Sequence, residues 1–166
     1  MNLRLLWGNP FNKKGEMTVS DLEFLSKVPI FDTLSGRQKE KIQSLIHIRH
    51  YIPGEIVFRQ EDPGVGLYII REGGVSVWCE HHDMTKTQVA ELSDGDFFGE
   101  ISLLNDIPRS ATVVAEKSTV LFGFFRSDLM PLMDSDPNIG VKIVYRLAQI
   151  VAERIRQMNV ELTGRQ

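Results

Sequence analysis

Hydrophobic residues recur with a helical period at both ends of the chain and with a strand period in the middle. Near the N-terminus, Ser20–Glu23 and Ser35–Gln38 match the capping box, in which an N-cap serine is paired with Glu or Gln three residues later. Apolar residues follow the second box at helical spacing, at Ile42, Leu45 and Ile46. This pattern predicts an arm at residues 1–17 and helices within residues 20–50, with His47–His50 on the polar side of a helix end.

The middle of the chain, residues 51–125, has the composition of β-strands. Seven of the thirteen glycines lie between residues 54 and 99, where they separate short runs rich in β-branched and aromatic residues. These runs are Glu55–Phe58, Leu67–Arg71, Gly74–Glu80, Thr87–Leu92 and Ser110–Phe125. Alternate positions of the third run form a predicted inner face: Val75, Val77 and Cys79. Short, closely spaced strands predict an antiparallel β-roll or jelly roll, with Cys79 as a buried, inert thiol.

Residues 126–164 return to a helical pattern. Asp136 is a favourable N-cap, and Pro137 suits the first helical position. One set of apolar residues in the long helix has the separations 4, 3, 4, 3 and 4 of a coiled-coil seam: Val144, Ala148, Val151, Ile155, Met158 and Leu162. A second apolar face consists of Ile143, Leu147 and Ile150. Because a helix that is apolar on two sides needs two partners, we predict a homodimer through Val144–Leu162, with a helix folded back as a lid as the alternative.

Length and composition limit the class of protein. The chain has 166 residues, of which 42% are hydrophobic and 25% charged, so we expect one folded domain at residues 18–166 rather than disorder. The formal net charge of -3 argues against direct nucleic-acid binding. No run approaches the ~18 apolar residues of a membrane span. A single cysteine and a start without a signal-peptide pattern favour the cytoplasm.

The sequence contains no motif typical of an enzyme. A nucleophile elbow, a Walker loop and a kinase signature are all missing, so we expect no catalytic activity. Cys79–Asp83 has residue types that can ligate metals, but it lies in a predicted hairpin loop and has no second cluster. A solvated turn and no metal are therefore expected there.

Candidate binding chemistry is concentrated at Gly95–Thr112. A strand is expected to end at Phe97-Phe98, and Gly99 allows the backbone to approach a ligand closely. Glu100 opens a short apolar helical turn whose first amides are potential donors, and Arg109 carries a fork of donors suited to phosphate. The segment suits a ligand with a hydroxyl at one end and a phosphate at the other. A surface loop in which Glu100 and Arg109 are solvated or paired together is the alternative.

This segment resembles the phosphate-binding cassette of cyclic nucleotide-binding domains, the family of catabolite activator proteins, cyclic-nucleotide-dependent kinase regulatory domains and gated channels. Phe98–Glu100, an apolar pair, a short spacer and Pro108–Thr112 follow one another as in the family pattern. Upstream, Tyr51–Glu55 and Gly64–Val75 resemble the family's earlier turns and strands in the same order. The resemblance covers roughly residues 22–160. It implies an antiparallel β-roll with N-terminal helices and a long C-terminal helix.

The resemblance also implies a role for each matching residue. Glu100 would accept a hydrogen bond from the ribose 2′-hydroxyl, and Arg109 would pair with the cyclic phosphate. The amides of Gly99 and Ala111, with the amide and hydroxyl of Ser110, would complete the phosphate site. The predicted ligand-binding set is Gly99, Glu100, Ile101, Ser102, Arg109, Ser110 and Ala111.

The resemblance implies a regulatory module that binds cAMP or cGMP and moves its C-terminal helix. A hydroxyl at Ser110 can reach guanine, yet cAMP-binding bacterial activators of the family also have serine there, so we favour cAMP. The base would be covered from the C-terminal helix by Arg146, Gln149 or Arg154. The chain ends at Gln166 without the helix-turn-helix of the family's transcription factors, so we expect an effector protein as partner. A dimeric scaffold that no longer binds ligand is the alternative, against which the intact Glu100 and Arg109 count.

Overall fold

The computed structural model describes residues 17–164, which form two β-sheets flanked by helices. The first elements are α1 (Val19–Lys27), a 3-10 turn (Pro29–Phe31) and α2 (Gly36–Gln43). The strands are β1 (His47–Tyr51), β2 (Ile56–Phe58), β3 (Gly66–Glu72), β4 (Gly74–Glu80), β5 (Lys86–Ser93), β6 (Phe97–Phe98), β7 (Thr112–Ala115) and β8 (Thr119–Phe125). The remaining helices are α3 (Ile101–Leu104), α4 (Arg126–Ser135) and α5 (Pro137–Thr163). Except for Met17, the predicted N-terminal arm lies outside the described residues.

Both sheets are four-stranded and antiparallel. Their strand orders are β1-β8-β3-β6 and β2-β7-β4-β5. In the first sheet β8 is central, since His47 pairs with Gly123 on one side and Gly66 pairs with Phe125 on the other. The prediction of an antiparallel β-roll with N-terminal helices and a long C-terminal helix is confirmed.

Helix α1 begins earlier than the sequence pattern predicted. Thr18, and not Ser20, is the N-cap: its hydroxyl accepts a hydrogen bond from the Asp21 amide, and the Asp21 carboxylate accepts one from the Thr18 amide. The shorter aspartate takes the place of the Glu or Gln that the capping-box pattern specifies. Ser20 instead accepts a hydrogen bond from Arg71. The second capping box, at Ser35–Gln38, forms as predicted.

Residues 47–50 form a strand rather than the end of a helix. Helix α2 already ends at Gln43, and His47–Tyr51 pairs along its whole length with Thr119–Gly123 of β8. Ile48 and Tyr51 pack against buried clusters on the two sides of this strand. The pairing partner lies far along the chain, so the local run of polar residues gave no indication of it.

Two clusters of buried side chains stabilise the fold. The larger cluster joins the first sheet to the helices and includes Leu25, Phe31, Phe122, Phe124, Leu129, Ile143 and Leu147. The smaller cluster lies inside the roll and consists of Tyr68, Ile70, Val75, Phe98, Val113 and Leu121. Burial of this apolar surface is the main favourable contribution to folding, at about 25 cal/mol per Å².

Strand β4 departs from the alternation predicted for it. A bulge interrupts its pairing with β5 between Val77 and Trp78. Cys79, beyond the bulge, is only half-buried, so the prediction of a fully buried thiol is wrong. Ser76, expected on the outer face, is buried, and its hydroxyl is satisfied there: it accepts a hydrogen bond from the Trp78 indole at 2.8 Å and donates one to the Glu116 carboxylate.

Helix α5 buries one apolar face against its own domain and leaves another exposed. It begins at the predicted position, with Asp136 as the N-cap residue and Pro137 in the first turn, but the Asp136 carboxylate makes no capping hydrogen bond and instead pairs with Lys41 at 3.3 Å. Its buried hydrophobic side chains are Ile139, Ile143 and Leu147. Val144 and Val151 of the predicted seam lie partly against the core, whereas Ile155 and Met158 are exposed. The side chain of Leu162 lies outside the described residues.

Candidate functional site

One cavity is lined by all seven predicted site residues. It lies where β6, α3 and the segment before β7 meet, and its volume is about 390 Å³, within the usual range of small-molecule sites. The seven residues are Gly99, Glu100, Ile101, Ser102, Arg109, Ser110 and Ala111. A larger open groove of about 1380 Å³ runs across β2, β4 and β7 and contains none of the seven. The smaller cavity is the better candidate because it alone of the two contains a buried cation.

Gly99 forms the turn between β6 and α3 in a conformation that requires glycine. Its φ is +77°, in the left-handed region that side chains disfavour. A Cβ at this position would lie 2.5 Å from Nη1 of Arg109 and 3.1 Å from the carbonyl oxygen of Gly66. Glycine is therefore needed both for the turn and for the close approach of Arg109.

Arg109 is held at the base of the cavity by one end of its guanidinium. The residue is only 3% exposed. Nη1 donates hydrogen bonds to the carbonyls of Gly66 at 2.8 Å and Gly99 at 3.3 Å, and to the hydroxyl of Ser102 at 3.2 Å. Nε is buried and has no hydrogen-bond partner among the described residues. A buried N–H without a partner is unusual and marks a position where a ligand acceptor would be favourable.

Arg109 carries a buried positive charge that no carboxylate neutralises directly. Burial lowers the pKa of Arg109, while the nearby Tyr68, Asp62 and Glu100 act in the opposite direction. Arginine nevertheless stays protonated in proteins. None of the ion pairs within residues 17–164 involves Arg109. The cavity therefore has a buried cation without a direct ion-pair partner, which favours an anionic ligand.

The backbone of Arg109 is fixed by the loop after β2. Its amide donates to the Asp62 carbonyl at 2.8 Å, and its carbonyl accepts from the Glu61 amide at 2.9 Å. Pro63 and Pro108 form an isolated bridge beside these bonds. Glu61 has a φ of +69°, which is unfavourable for a residue with a side chain. This loop sets the position at which Arg109 enters the cavity.

Glu100 is bound to helix α5 through Arg154. Nη1 of Arg154 lies 2.8 Å from Oε1 of Glu100, and Nη2 donates to the Phe97 carbonyl at 3.2 Å. The Arg154 guanidinium also lies over the Phe97 ring, 4.5 Å from its centroid. Glu100 and Arg109 are thus not paired with each other, which removes the alternative of a closed Glu–Arg pair in this loop.

Only one of the three predicted base-covering residues lies at the cavity. Arg154 lines it. Arg146 instead binds the Asp32 carboxylate, at 2.8 Å from Nη2, and the carbonyl of Pro29. Gln149 contacts Arg146. The predictions for Arg146 and Gln149 are therefore not supported by this geometry, because the N-terminal 3-10 turn holds Arg146 away from the site.

The remaining predicted residues occupy different positions around the cavity. Ser102 is buried and faces Arg109 rather than the open space. Its amide donates to Gly99, and the Leu103 amide donates to Glu100, so these first amides of α3 are already used within the turn. Ile101 and Ser110 are exposed at the rim, whereas Ala111 is buried.

An apolar wall completes the cavity, and most of it was missed from the sequence. Its residues are Phe58, Val77, Ala90, Leu92, Phe97, Phe98 and Val113. Val77 and Val113 face inward from neighbouring strands, paired in register. The alternation of apolar and polar residues within the predicted strands indicates which side chains face inward. It does not show which of those side chains line a cavity.

The arrangement is suited to binding a ligand. It combines a buried cation with a free N–H, a carboxylate and an apolar wall, which together match a ligand with an anionic group, a hydroxyl and an apolar part. Within residues 17–164, no three His, Cys, Asp or Glu side chains are grouped closely enough to hold a metal ion. No helix of this described part has the length and apolar composition needed to cross a bilayer.

Comparison with known proteins identifies a family. The sequence model of the family described as Cyclic nucleotide-binding domain matches residues 48–136. The Cyclic AMP receptor protein of Thermus thermophilus is 33% identical over 81% of this chain and 60% of its own length. A cAMP-dependent protein kinase regulatory subunit of Colletotrichum orbiculare is 37% identical over 56% of this chain and 23% of its own length. The chain thus spans less than two thirds of either relative.

A solved structure supports the same assignment. The cyclic nucleotide-binding domain from Methylobacillus flagellatus superposes with a TM-score of 0.76 and 26% identity, covering 87% of this chain and 82% of that one. The match of the family model covers more than half of the chain and includes the whole Gly99–Ala111 segment. The chain therefore belongs to the cyclic nucleotide-binding domain family.

Proposed function

We propose that the cavity binds a cyclic nucleotide, and cAMP in preference to cGMP. The observation that carries this proposal is Arg109, a buried cation with no ion-pair partner and with an unpartnered Nε. Removing a cation from water is costly unless an anion or good acceptors replace the water. The cyclic phosphate of a nucleotide is an anion of suitable size, and the chain's family binds such ligands.

On the phosphate side, Arg109 would act through the part of its guanidinium that remains free. Nη1 is committed to protein acceptors, whereas Nε and Nη2 have no hydrogen-bond partner among the described residues, so these two are the donors left for phosphate oxygens. Hydrogen bonds between a guanidinium and a phosphate are about twice as strong as neutral ones. The amides of Gly99 and Ala111 and the hydroxyl of Ser110 would supply further donors.

On the ribose side, Glu100 would accept the 2′-hydroxyl without losing Arg154. The ion pair uses Oε1. The second oxygen, Oε2, accepts no hydrogen bond from any residue between 17 and 164. The ribose hydroxyl would donate to Oε2, so Glu100 would hold the ligand and helix α5 at the same time.

The preference for cAMP rests on the wall and on the relatives. The wall offers mainly apolar side chains, and a guanine edge has more polar groups that would need partners than adenine has. The Thermus thermophilus receptor protein and the Colletotrichum orbiculare kinase regulatory subunit are named for cAMP, whereas a protein kinase of Plasmodium berghei, 36% identical over 58% of this chain, is named for cGMP. The wall therefore carries more of the preference than the relatives do. Ser110 at the rim is compatible with either base.

The Glu100–Arg154 pair gives a route from ligand to helix α5. A ligand shifts a conformational equilibrium only if it binds the two states with different affinity. A nucleotide that contacts both Glu100 and the underside of α5 binds best when Arg154 holds the helix over the cavity. We therefore propose that nucleotide binding restrains the half of α5 around Arg154.

The exposed face of α5 supports a homodimer. Large apolar side chains are exposed along it at Val141, Tyr145, Ile155 and Met158. A second copy of the same helix would cover these residues in the manner of a coiled coil. The proposal joins this dimer to ligand binding, since Ile155 is adjacent to Arg154. In the alternative, a dimeric scaffold, the same dimer forms but the cavity binds no ligand.

A competition experiment tests the proposed function. Protein freed of nucleotide by unfolding and refolding is loaded with a fluorescent cyclic nucleotide, which is then displaced by cAMP, cGMP or acyclic 5′-AMP. We expect displacement by cAMP at micromolar concentration or below, by cGMP at higher concentration, and by 5′-AMP least. Failure of millimolar cAMP to bind or displace would contradict the proposal and favour the scaffold.

A further inference from the structure

The aromatic ring of Phe58 lies against the guanidinium of Arg109. The central guanidinium carbon of Arg109 is 4.1 Å from the centroid of the Phe58 ring. The Tyr68 ring is a more distant second neighbour, with its centroid 5.9 Å from the same carbon. Phe58 is on strand β2, far from Arg109 in the sequence, so the contact exists only in the folded chain.

Phe58 is itself held in place by other rings. It stacks beside Tyr68 at 6.1 Å between centroids and packs against Phe98 at 5.8 Å. Tyr68 and Phe98 are buried and belong to the cluster inside the roll. The ring of Phe58 is therefore a fixed surface rather than a mobile side chain, while its half-buried position leaves it in the wall of the cavity.

The polar partners of Arg109 are all uncharged. Nη1 bonds to two carbonyls and one hydroxyl, and no ion pair of the described residues includes Arg109. The Asp62 carboxylate is engaged by the Arg59 amide at 2.7 Å. An aromatic face attracts a cation through its quadrupole, most strongly where water is excluded. The Phe58 face thus stabilises the buried charge without cancelling it.

We propose that Phe58 is a positioning residue for anion binding, whose ring face takes the place of a direct counter-ion and holds the guanidinium of Arg109 with its free N–H groups available to the ligand. The proposal rests on the proposed function and adds to it a residue outside the predicted set. Nη1 fixes one end of the guanidinium, and the ring fixes its plane. With both fixed, Nε and Nη2 are the donors left available.

A carboxylate in place of the ring would not serve the same purpose. It would hold the guanidinium but neutralise it, and it would compete with the phosphate for the same N–H groups. A leucine would fill similar space but has no quadrupole. Phe58 therefore makes two separable contributions, packing and attraction to the cation. Replacement by leucine keeps the packing and removes the attraction.

A double-mutant cycle tests the proposal. The affinity for cAMP is measured by competition for wild type, Phe58→Leu, Arg109→Gln and the double variant, with thermal midpoints as a check on folding. We expect Phe58→Leu to weaken binding about tenfold when Arg109 is present and less than about twofold in the Arg109→Gln background. Phe58→Tyr, which keeps the ring face, is expected to bind like wild type. Equal weakening by Phe58→Leu in both backgrounds would overturn the proposal.

A second measurement does not depend on nucleotide binding. In the nucleotide-free protein, we expect the ring current of Phe58 to displace the NMR resonance of the Arg109 Nε proton, and Phe58→Leu to abolish that displacement. An identical resonance in the two proteins would overturn the proposal. If wild type binds no cyclic nucleotide but the displacement is seen, the proposed function fails while the Phe58–Arg109 contact stands.

Discussion

Arg154 on helix α5 bonds to Glu100 beside the cavity, with 2.8 Å between Nη1 and Oε1. The Glu100 side chain is largely buried, and Arg154 is further anchored by the Phe97 carbonyl and ring. This pair connects the proposed ribose site to the long C-terminal helix. It is the only ion pair among the described residues that joins α5 to the cavity.

Replacement of Arg154 tests whether this pair transmits binding to the helix. We expect Arg154→Gln to weaken cAMP binding by about threefold, since a partly exposed ion pair contributes roughly 0.2–1 kcal/mol. The larger effect is expected in hydrogen exchange, where cAMP protects amides near residue 154 in wild type but not in the variant. Arg156→Gln is the matched control, because Arg156 pairs with Glu153 on the exposed side of the same helix. Loss of protection in both variants would contradict the role of the Glu100 pair.

Replacement of Gly99 tests the close approach of Arg109 to the turn. In Gly99→Ala the added Cβ would meet Nη1 of Arg109, so we expect at least a tenfold loss of cAMP affinity, in addition to a loss of stability of roughly 1–3 kcal/mol from the strained φ. Gly95→Ala is the control. Gly95 also has a positive φ, of +89°, but a Cβ there would meet nothing within 4 Å. Affinities and thermal midpoints separate the two effects, and equal affinity losses would show that backbone strain alone is responsible.

Glu61 is a second position where the backbone favours glycine. Its φ of +69° costs roughly 1–2 kcal/mol for a residue with a Cβ. We expect Glu61→Gly to raise the free energy of unfolding by roughly 0.5–1 kcal/mol, because the greater freedom of glycine in the unfolded chain offsets part of the gain. Glu61→Ala keeps the strain and should give no gain. If a denaturant titration gives both variants the stability of wild type, the positive φ of Glu61 does not destabilise the fold.

The exposed face of α5 gives a prediction about assembly. We expect wild type to sediment as a dimer and Ile155→Asp to sediment as a monomer, because a charge within a helix–helix interface has no partner. Val89→Asp is the control, since Val89 is also 54% exposed but lies on strand β5. A monomeric wild type, with and without cAMP, would rule out the dimer.

The sequence was sufficient for the part of the site that lies within one short segment. Gly99, Glu100 and Arg109 fall within a segment of 11 residues, and their spacing with Pro108 resembles a known cassette. The capping box at Ser35, which also depends only on neighbouring residues, was likewise predicted from the sequence. These features depend on neighbours in the chain and therefore leave a pattern in it.

Features that depend on distant pairing could not be predicted in the same way. Strand β1 exists because it pairs with β8, although its own residues are mostly polar. Phe58 reaches Arg109 only after β2 and β7 pair. Whether Arg154 or Arg146 lies at the cavity depends on which side of α5 faces it. That orientation is set by the burial of Ile143 and Leu147 rather than by a local motif.

The most direct test of the central claim is a calorimetric titration of nucleotide-free protein with cAMP, in wild type and in Arg109→Gln. Loss of a buried charge-assisted partner costs about 2–5 kcal/mol, so we predict micromolar or tighter binding by wild type and at least about thirtyfold weaker binding by the variant. Thermal midpoints establish that the variant is folded. Equal cAMP affinity in the two folded proteins would contradict the assignment of Arg109 as the phosphate-binding residue.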